Sequence, residues 1–321
     1  MRWSSKSLGS RLQHEFFYFL VRMRLVWLAR FSLAFVVLYY SIRPDVRHRI
    51  YPYLSRRFPQ DRGLRRWLHC LRLYWTFAQG LLDRAICGIL GPRSCGIVPI
   101  TDARFHSAVP AGQGCLVLTA HIGAWQIALN GLEALQRPIN IAQWLDPQDA
   151  DKHYFQQNHR EGGPDIRLIN TRADPDAALK IATVLRHGEL VCLTGDRITS
   201  PAEPAMEVTF LGDTVRLPAT PWLLASLAQV PLVISFAIRH TRAGVGTVVE
   251  GIVVERVNVP PHLRRNPEVL HRFVQQFAAR MEDMVMRYPY HFFNFFDMWS
   301  CDDSTGMPPE AQGKHCRHPQ P

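Results

Sequence analysis

Hydrophobic positions follow two different periods in the larger C-terminal part of the chain. Short runs rich in β-branched residues predict strands at 115–119, 139–143, 166–169, 190–194, 232–238 and 247–254. Amphipathic windows predict helices at 123–135, 175–186, 221–228 and 267–287. Three of these helices begin with a cap residue followed by proline, at Asp174, Thr220 and Asn266. Alternation of this kind predicts an α/β fold, with a mixed, largely parallel sheet flanked by helices.

The most apolar stretch of the chain, residues 31–42, lies in a basic N-terminal region. Arg30 interrupts the window, so the stretch falls short of a clean membrane span. We expect residues 1–75 to form a membrane-associated helical segment, either as a span with a snorkelling Arg30 or as a helix lying on an anionic leaflet. An ordinary buried core helix is the alternative. Residues 76–300 are then the catalytic domain, and 301–321 a disordered tail.

The charge distribution supports this division. The formal net charge of the 321 residues is +10, yet residues 1–75 hold 15 Lys and Arg against three Asp and Glu, so the remainder is nearly neutral. The basic residues share their helices with long apolar runs, which disfavours nucleic-acid binding. Seven scattered cysteines without a C-x-x-C pair predict neither a disulfide framework nor a zinc site, and they favour a reducing compartment.

The segment 115–127, CLVLTAHIGAWQI, carries the clearest candidate chemistry. A strand there runs directly into His121, and a helix follows from about Gly123. His121 is therefore expected at the carboxyl edge of the sheet, where ligands bind in open α/β folds. Gly123 permits close approach of the backbone, and the N–H groups of the helix start offer a site for an oxyanion. A purely structural imidazole is the alternative for His121.

Several blocks together resemble the bacterial lipid A biosynthesis (lauroyl/myristoyl) acyltransferases, a branch of the lysophospholipid acyltransferase superfamily. That family carries a histidine, four further residues and then an acidic residue, and this chain reads TAHIGAWQ at 119–126. The remaining similar blocks are NTR at 170–172, LTGDR at 193–197, TFLG at 209–212 with LP at 217–218, and YPYHFFNFFDMW at 288–299. With the basic apolar N-terminus, the resemblance covers about residues 15–300.

The resemblance implies a glycerolipid-acyltransferase-like fold and transfer of a fatty acyl group to a hydroxyl. The donor would be an acyl-carrier-protein or coenzyme A thioester, used as a co-substrate with no other cofactor. The place would be the cytoplasmic face of the bacterial inner membrane. His121 would be the general base that takes the proton of the attacking alcohol. The acceptor would be a lipid A precursor, or another target such as a glycolipid, an amino-acid lipid or a polyene pigment precursor.

Gln126 stands where the family has the carboxylate partner of the histidine, and three explanations remain open. Another acid could replace it, with Asp196 at a neighbouring strand end the best candidate and Glu133 a poor one. Gln126 itself could support a weaker base, since an amide oxygen still accepts the imidazole N–H. Alternatively, the protein is a catalytically degenerate acyl-binding or scaffold protein at the membrane.

The remaining candidates concern substrate binding. Arg172 and Arg197 could hold phosphates of the donor or of a lipid headgroup, or form surface ion pairs. With Gly123 and Trp125 of the histidine motif, they make up the predicted substrate-binding set. The aromatic segment 292–299 is expected either beneath an acyl tunnel or in the plain core. The other histidines of the chain show no metal-ligand spacing.

Overall fold

The computed structural model describes most of the chain between residues 9 and 300. The described residues are 9–91, 94, 96–98, 107–109, 112–128, 137–144, 166–171, 174, 176–200, 202–242 and 246–300. The tail expected to be disordered, 301–321, lies outside them, as do Glu133 and Arg172.

Eight α-helices are found in these described ranges, and the first four form the N-terminal region. In chain order they are α1 (Arg11–Arg22), α2 (Val26–Ile42), α3 (Pro44–Arg57), α4 (Gly63–Leu90), α5 (Trp125–Ala128), α6 (Ala177–Arg186), α7 (Thr220–Ala228) and α8 (Pro267–Arg287). The domain boundary expected at residues 75 and 76 falls inside α4, which is continuous from Gly63 to Leu90.

A mixed, mostly parallel sheet lies at the centre, as predicted. Its strands are β1 (Gly96–Val98), β2 (Cys115–Thr119), β3 (Ile139–Gln143), β4 (Ile166–Asn170), β5 (Leu190–Thr194), β8 (Leu232–Arg242) and β9 (Gly246–Val257). Within the described residues the strand order is β1-β9-β8-β2-β5-β3-β4, and only the β8–β9 pair is antiparallel. The neighbours β2 and β5 are parallel and pair in register from Cys115 with Leu190 to Thr119 with Thr194.

Strand positions were predicted better than helix starts. Asn266 caps α8 as expected, because its Oδ1 accepts the N–H of Val269 at 3.2 Å. The other two caps were wrong. Asp174 accepts from the N–H of Asp176 and pairs with Lys180, while the Thr220 hydroxyl donates to Glu203. The residues at the cap positions of these two helices are instead Asp176 and Ala219.

The hairpin of β6 (Ala205–Phe210) and β7 (Asp213–Pro218) was not predicted. It forms a separate two-stranded antiparallel sheet that packs on α8. Its two-residue turn holds Leu211 and Gly212 at φ +52° and +84°. This is the left-handed conformation that short hairpin turns require.

A buried ion pair joins the N-terminal helices to the sheet. Arg239 of β8 donates through Nε to Asp83 of α4 at 2.5 Å, and through Nη1 to Gln79 at 2.9 Å. Both charged side chains are about nine-tenths buried. Removing one partner of such a pair leaves an uncompensated buried charge, which costs about 3–5 kcal/mol. The contact therefore fixes α4 against the edge of the sheet where His121 lies.

Helices α1 and α2 bury one face and expose another that is apolar. Ala29, Leu33, Val37 and Ser41 of α2 are buried, spaced one turn apart. The opposite apolar face, which we term the exposed aromatic face, consists of Leu12, Phe16, Phe19, Met23, Trp27, Phe31, Phe35, Leu38, Tyr39 and Ile42. Among the described helices, none is by itself long and apolar enough to cross a membrane. Helices α2 and α3 together have the necessary length and composition, as a pair bent by 82°.

The cysteines depart in part from the sequence expectation. Cys70, Cys115 and Cys192 are buried free thiols, and burial raises the pKa of all three. Cys87 is disulfide-bonded, which the scattered cysteine spacing did not predict.

Candidate active site

His121 and Asp196 meet at the carboxyl edge of the sheet. Each follows by two residues a strand end, Thr119 of β2 and Thr194 of β5, and these two ends are paired in register. The ring Nδ1 of His121 lies 2.8 Å from Asp196 Oδ1, and the backbone N–H of His121 donates to Oδ2 at 3.2 Å. A carboxylate can only accept, so Nδ1 carries the proton and Nε2 is left as the basic nitrogen.

The environment keeps this pair in the form that a general base needs. The Asp196 side chain is fully buried, whereas that of His121 is one quarter exposed. Burial lowers the pKa of His121, and the neighbouring Arg197 cation lowers it further, which outweighs the opposite effect of Asp196. Burial on its own would raise the pKa of Asp196, but His121 and Arg197 together hold it below its usual value. A neutral imidazole beside an ionised carboxylate is therefore favoured at neutral pH.

Gly123 shapes the turn that presents His121. Its φ is +70°, and a Cβ atom built there would lie 1.8 Å from the carbonyl oxygen of Ala237 in β8. The backbone N–H groups of Gly123 and Ala124 donate to the carbonyls of His291 and Ala237, both at 2.7 Å. These two amides are therefore not available to an oxyanion, because both donors are already used to hold the turn. Gly123 acts through backbone packing.

His121 lines a cavity of about 1270 Å³ between the N-terminal helices and the carboxyl edge of the sheet. Its apolar wall includes Phe17, Leu33, Val37, Phe77 and Leu81, from α1, α2 and α4. Polar side chains line the cavity at the sheet edge beside His121 and also on the N-terminal helices. A large apolar space with a few converging polar groups is typical of a small-molecule or lipid site.

Gln126 is directed to a partner other than His121. Its Oε1 accepts a hydrogen bond from Arg84 Nη1 of α4 at 2.7 Å, and both residues line the cavity. The carboxylate at His121 is supplied by Asp196 instead. Sequence reasoning missed Arg84, because its closeness to Gln126 depends on how α4 packs across the sheet edge.

The predicted substrate-binding residues are placed as follows. Trp125 and Arg197 line the cavity. Arg197 Nη2 donates to the carbonyl of Phe293 at 2.9 Å, and burial lowers the pKa of its guanidinium to about 10. Arg197 therefore has a structural role in holding the aromatic segment as well as a place in the cavity wall. Arg172 falls outside the described residues.

The aromatic segment 292–299 divides between the two expected roles. Phe293, Phe295 and Phe296 line the cavity. Phe292 and Trp299 are buried in the core, where Trp299 stacks on Phe210 with ring centroids 5.7 Å apart. Different members of the segment thus line the cavity and pack in the core.

Among the described residues, His121 and Asp196 belong to no larger group of potential metal ligands. No three His, Cys, Asp or Glu side chains of that part of the chain come together in a way that could hold a metal ion.

Comparison with known proteins was made against families, curated proteins and solved structures. A sequence model of the family described as "Bacterial lipid A biosynthesis acyltransferase" matches residues 100–300. No curated protein matches the chain. One similar solved structure is the 1-acyl-sn-glycerophosphate (LPA) acyltransferase PlsC from Thermotoga maritima, at 12% identity and a TM-score of 0.36, covering 80% of this chain and 97% of that one. The family match includes both His121 and Asp196.

Proposed function

The chain belongs to the bacterial lipid A biosynthesis acyltransferase family, and from this premise we propose that it moves a fatty acyl group from a thioester to a hydroxyl of a lipid or glycolipid. Acyl transfer is the general activity that membership supports. The donor is proposed to be an acyl-carrier-protein or coenzyme A thioester. The observation that carries the proposal is the His121–Asp196 hydrogen bond at the wall of the large cavity.

His121 is proposed to act as the general base. An alcohol is a poor nucleophile at neutral pH, so a base must remove its proton as its oxygen attacks the thioester carbonyl. The proton moves to His121 Nε2, the new C–O bond forms and the C–S bond breaks. The imidazolium then returns the proton to the departing thiolate, which leaves as a thiol. Asp196 stabilises the imidazolium and holds the ring with Nε2 unprotonated.

Of the three explanations for Gln126, the geometry favours the one in which another acid, Asp196, takes the place of a carboxylate at position 126. Asp196 already accepts from Nδ1, so a carboxylate at position 126 is not needed to orient the imidazole. Gln126 instead contributes to the cavity wall through its hydrogen bond with Arg84. The explanation in which Gln126 supports a weaker base has no matching contact, because the Nδ1 position is occupied by Asp196.

The acyl chain is proposed to lie against the apolar wall that α1, α2 and α4 contribute to the cavity. Phe17, Leu33, Val37, Phe77 and Leu81 offer no strong hydrogen-bonding group, and burial of a methylene is worth about 0.8 kcal/mol. The thioester carbon would then reach the polar side near His121. On this proposal, the N-terminal helices are part of the binding site.

The protein is further proposed to act on the surface of the bacterial inner membrane, at its cytoplasmic face. The exposed aromatic face would enter the boundary of the bilayer, where apolar and aromatic side chains are favoured. Arg22, Arg24 and Arg30 are close to it in sequence and are exposed, so they can meet anionic headgroups. In this placement, a lipid acceptor can reach the cavity while it stays at the membrane surface.

Acyl transfer from a labelled thioester to a panel of lipid acceptors tests the proposal. Purified full-length protein in detergent is compared with His121→Ala, Gln126→Glu and the control His240→Ala, which alters a histidine outside the cavity wall. Wild type and the control should transfer label, and His121→Ala should lose at least a hundredfold. A silent wild type that becomes active as Gln126→Glu would show that the protein is a degenerate relative. Full activity of His121→Ala would overturn the base assignment.

A further inference from the structure

Arg49 of α3 is a cavity residue whose charge the described residues do not balance. It lines the same cavity as His121. Its Nε is buried, and among the described residues no acceptor lies within hydrogen-bond distance of that atom. Burying an ionic group without a hydrogen-bonding partner is costly, so a partner supplied by a ligand would relieve the cost.

Three carboxylates on or beside the N-terminal helices already have partners other than Arg49. Asp45 pairs with Arg43 at 2.8 Å. Asp61 accepts from His69, and Asp83 accepts from Arg239. These pairings explain why a helix so rich in arginine leaves Arg49 without a carboxylate partner in the described structure.

The other guanidinium groups of the cavity differ from Arg49 in having protein acceptors. Arg84 donates to Gln126, and Arg197 donates to the carbonyl of Phe293. Those two side chains therefore brace the cavity wall. Arg49 has the chemistry of an anion-binding group, since a guanidinium presents paired donors that match the oxygens of a phosphate.

We infer that Arg49 anchors a phosphate-binding subsite in the cavity and holds a phosphate ester of one of the two substrates. The inference rests on the proposed acyl transfer, because that reaction brings phosphate esters to the site. One source is the phosphopantetheine arm of the thioester donor. The other is a phosphate on the acceptor lipid. In either case Arg49 positions the substrate, while His121 performs the proton transfer.

Arg47 provides a matched control on the same helix. Its Nε is also buried, with no acceptor among the described residues, but Arg47 is not part of the cavity wall. Substitution of either arginine removes from α3 one partly buried cation whose Nε is buried. Only substitution of Arg49 should change the binding of a phosphate.

Equilibrium binding separates the possibilities, and it is measured by calorimetry on His121→Ala protein so that no turnover occurs. The probes are palmitoyl-coenzyme A, S-palmitoyl-N-acetylcysteamine, lysophosphatidic acid and monoacylglycerol; the second and fourth are counterparts of the first and third that lack phosphate. Arg49→Gln should weaken binding of one phosphate-bearing probe by about tenfold or more. It should leave binding of the phosphate-free counterpart unchanged. Arg47→Gln should bind all four probes as tightly as the parent His121→Ala protein does.

The affected probe identifies the source of the phosphate. Weaker palmitoyl-coenzyme A binding assigns the subsite to the donor, and weaker lysophosphatidic acid binding assigns it to the acceptor. Equal binding of all four probes by the Arg49→Gln and Arg47→Gln proteins would overturn the inference. If Arg49→Gln does not fold, Arg49→Lys, which keeps the charge without the paired donors, should show a smaller loss for the same probe, and no loss would likewise overturn it. Absence of acyl transfer by wild type would refute the proposed function while leaving this binding result intact.

Discussion

At the scale of single residues, the candidate site depends on the partnership of a histidine with an aspartate 75 positions later in the chain. The Nδ1–Asp196 contact of 2.8 Å defines which ring nitrogen is basic. Asp196 is fully buried, so its charge is stabilised by the N–H donors of His121 and by the Arg197 cation and not by water. On the proposed function, glutamine at position 126 is compatible with catalysis because Asp196, at a second strand end, supplies the carboxylate.

The dependence of acyl transfer on pH follows from the shifted pKa of His121. The base must be neutral, so kcat/KM should fall as the pH drops through that pKa. Since burial and Arg197 hold the pKa of His121 below 6.5, the midpoint of this acidic limb should lie below pH 6.5. The test is to measure kcat/KM for the thioester donor as a function of pH, at a saturating concentration of the acceptor.

Two variants should move that midpoint in opposite directions. Arg197 lowers the pKa of His121, so Arg197→Gln should raise the midpoint. Asp196 raises the pKa, so Asp196→Asn should lower the midpoint in whatever activity remains. A midpoint that stays constant in both variants would show that another group controls the limb.

The position of the His121–Asp196 pair could largely be predicted from the sequence. His121 and Asp196 each follow an apolar run, and parallel strands bring their carboxyl ends to one edge. The presence of Arg49 and Arg84 in the cavity wall could not be predicted, because it depends on long-range helix packing. The local sequence of these helices carries no signal for that packing. That the Gly123 and Ala124 amides are already used could not be predicted for a similar reason: the carbonyls that accept from them belong to β8 and to His291.

At the scale of elements, the register between β2 and β5 and the turn after β2 position the site. The turn is held from both sides by backbone hydrogen bonds, including one from the N–H of Phe293 to the carbonyl of His121 at 2.7 Å. The aromatic segment and β8 thus clamp the residue proposed to act as base. This explains why a short segment with little regular structure can present an imidazole in a fixed position.

Gly123→Ala should damage both stability and activity. The added Cβ meets the Ala237 carbonyl at 1.8 Å in addition to the strain of φ +70°, so the turn must move. We expect a loss of unfolding free energy of about 3 kcal/mol or more and a loss of transfer activity of at least tenfold. Thermal unfolding and the transfer assay measure the two effects.

Gly112→Ala is the matched control for backbone strain. Gly112 has a similar φ of +76°, but nothing lies within 4 Å of a Cβ built there. The Gly112→Ala protein should lose only about 1 kcal/mol of unfolding free energy and should retain its transfer activity. If the two variants behaved alike, the close approach of β8 to the turn would have no role in the site.

The elements that the sequence did not predict have identifiable causes. The β6–β7 hairpin turns through Leu211 and Gly212, and leucine at φ +52° is not a residue that signals such a turn. The proline positions at helix starts were informative only where the preceding side chain was free to cap, as at Asn266. Strand interiors were easier, since their burial is reflected directly in β-branched composition.

At the scale of the whole molecule, the N-terminal helices and the sheet build one cavity together. Arg239 and Asp83 join the two parts, and α4 runs across the boundary that the charge distribution had indicated. Composition marked residues 1–75 as a basic apolar region, but it could not show that the helices of this region form a wall of the cavity. That information lies in the packing of α1 and α2 on α4 and of α4 at the sheet edge.

The exposed aromatic face should control binding to membranes. Replacing Phe31 and Phe35, each 61% exposed, by aspartate should reduce partitioning onto anionic phosphatidylglycerol vesicles by about tenfold or more, because charges are disfavoured at the apolar boundary. The fold should be retained, since neither side chain is buried. Co-sedimentation with vesicles measures the effect.

Leu179→Asp is the control for loss of an exposed apolar residue. Leu179 of α6 is 63% exposed and lies outside the N-terminal helices. Its substitution should leave partitioning unchanged. Undiminished vesicle binding by the double phenylalanine variant would exclude the exposed aromatic face as the contact with lipid.

The most direct test of the His121–Asp196 pair is the turnover number of Asp196→Asn in the acyl-transfer assay. Asparagine preserves the shape of the side chain but removes the charge that stabilises the imidazolium and selects the Nδ1–H tautomer. We predict that kcat falls by about a thousandfold while KM for the thioester changes little, and that Gln126→Ala loses less than about tenfold. A kcat for Asp196→Asn within about threefold of the wild-type value would contradict the proposed role of Asp196.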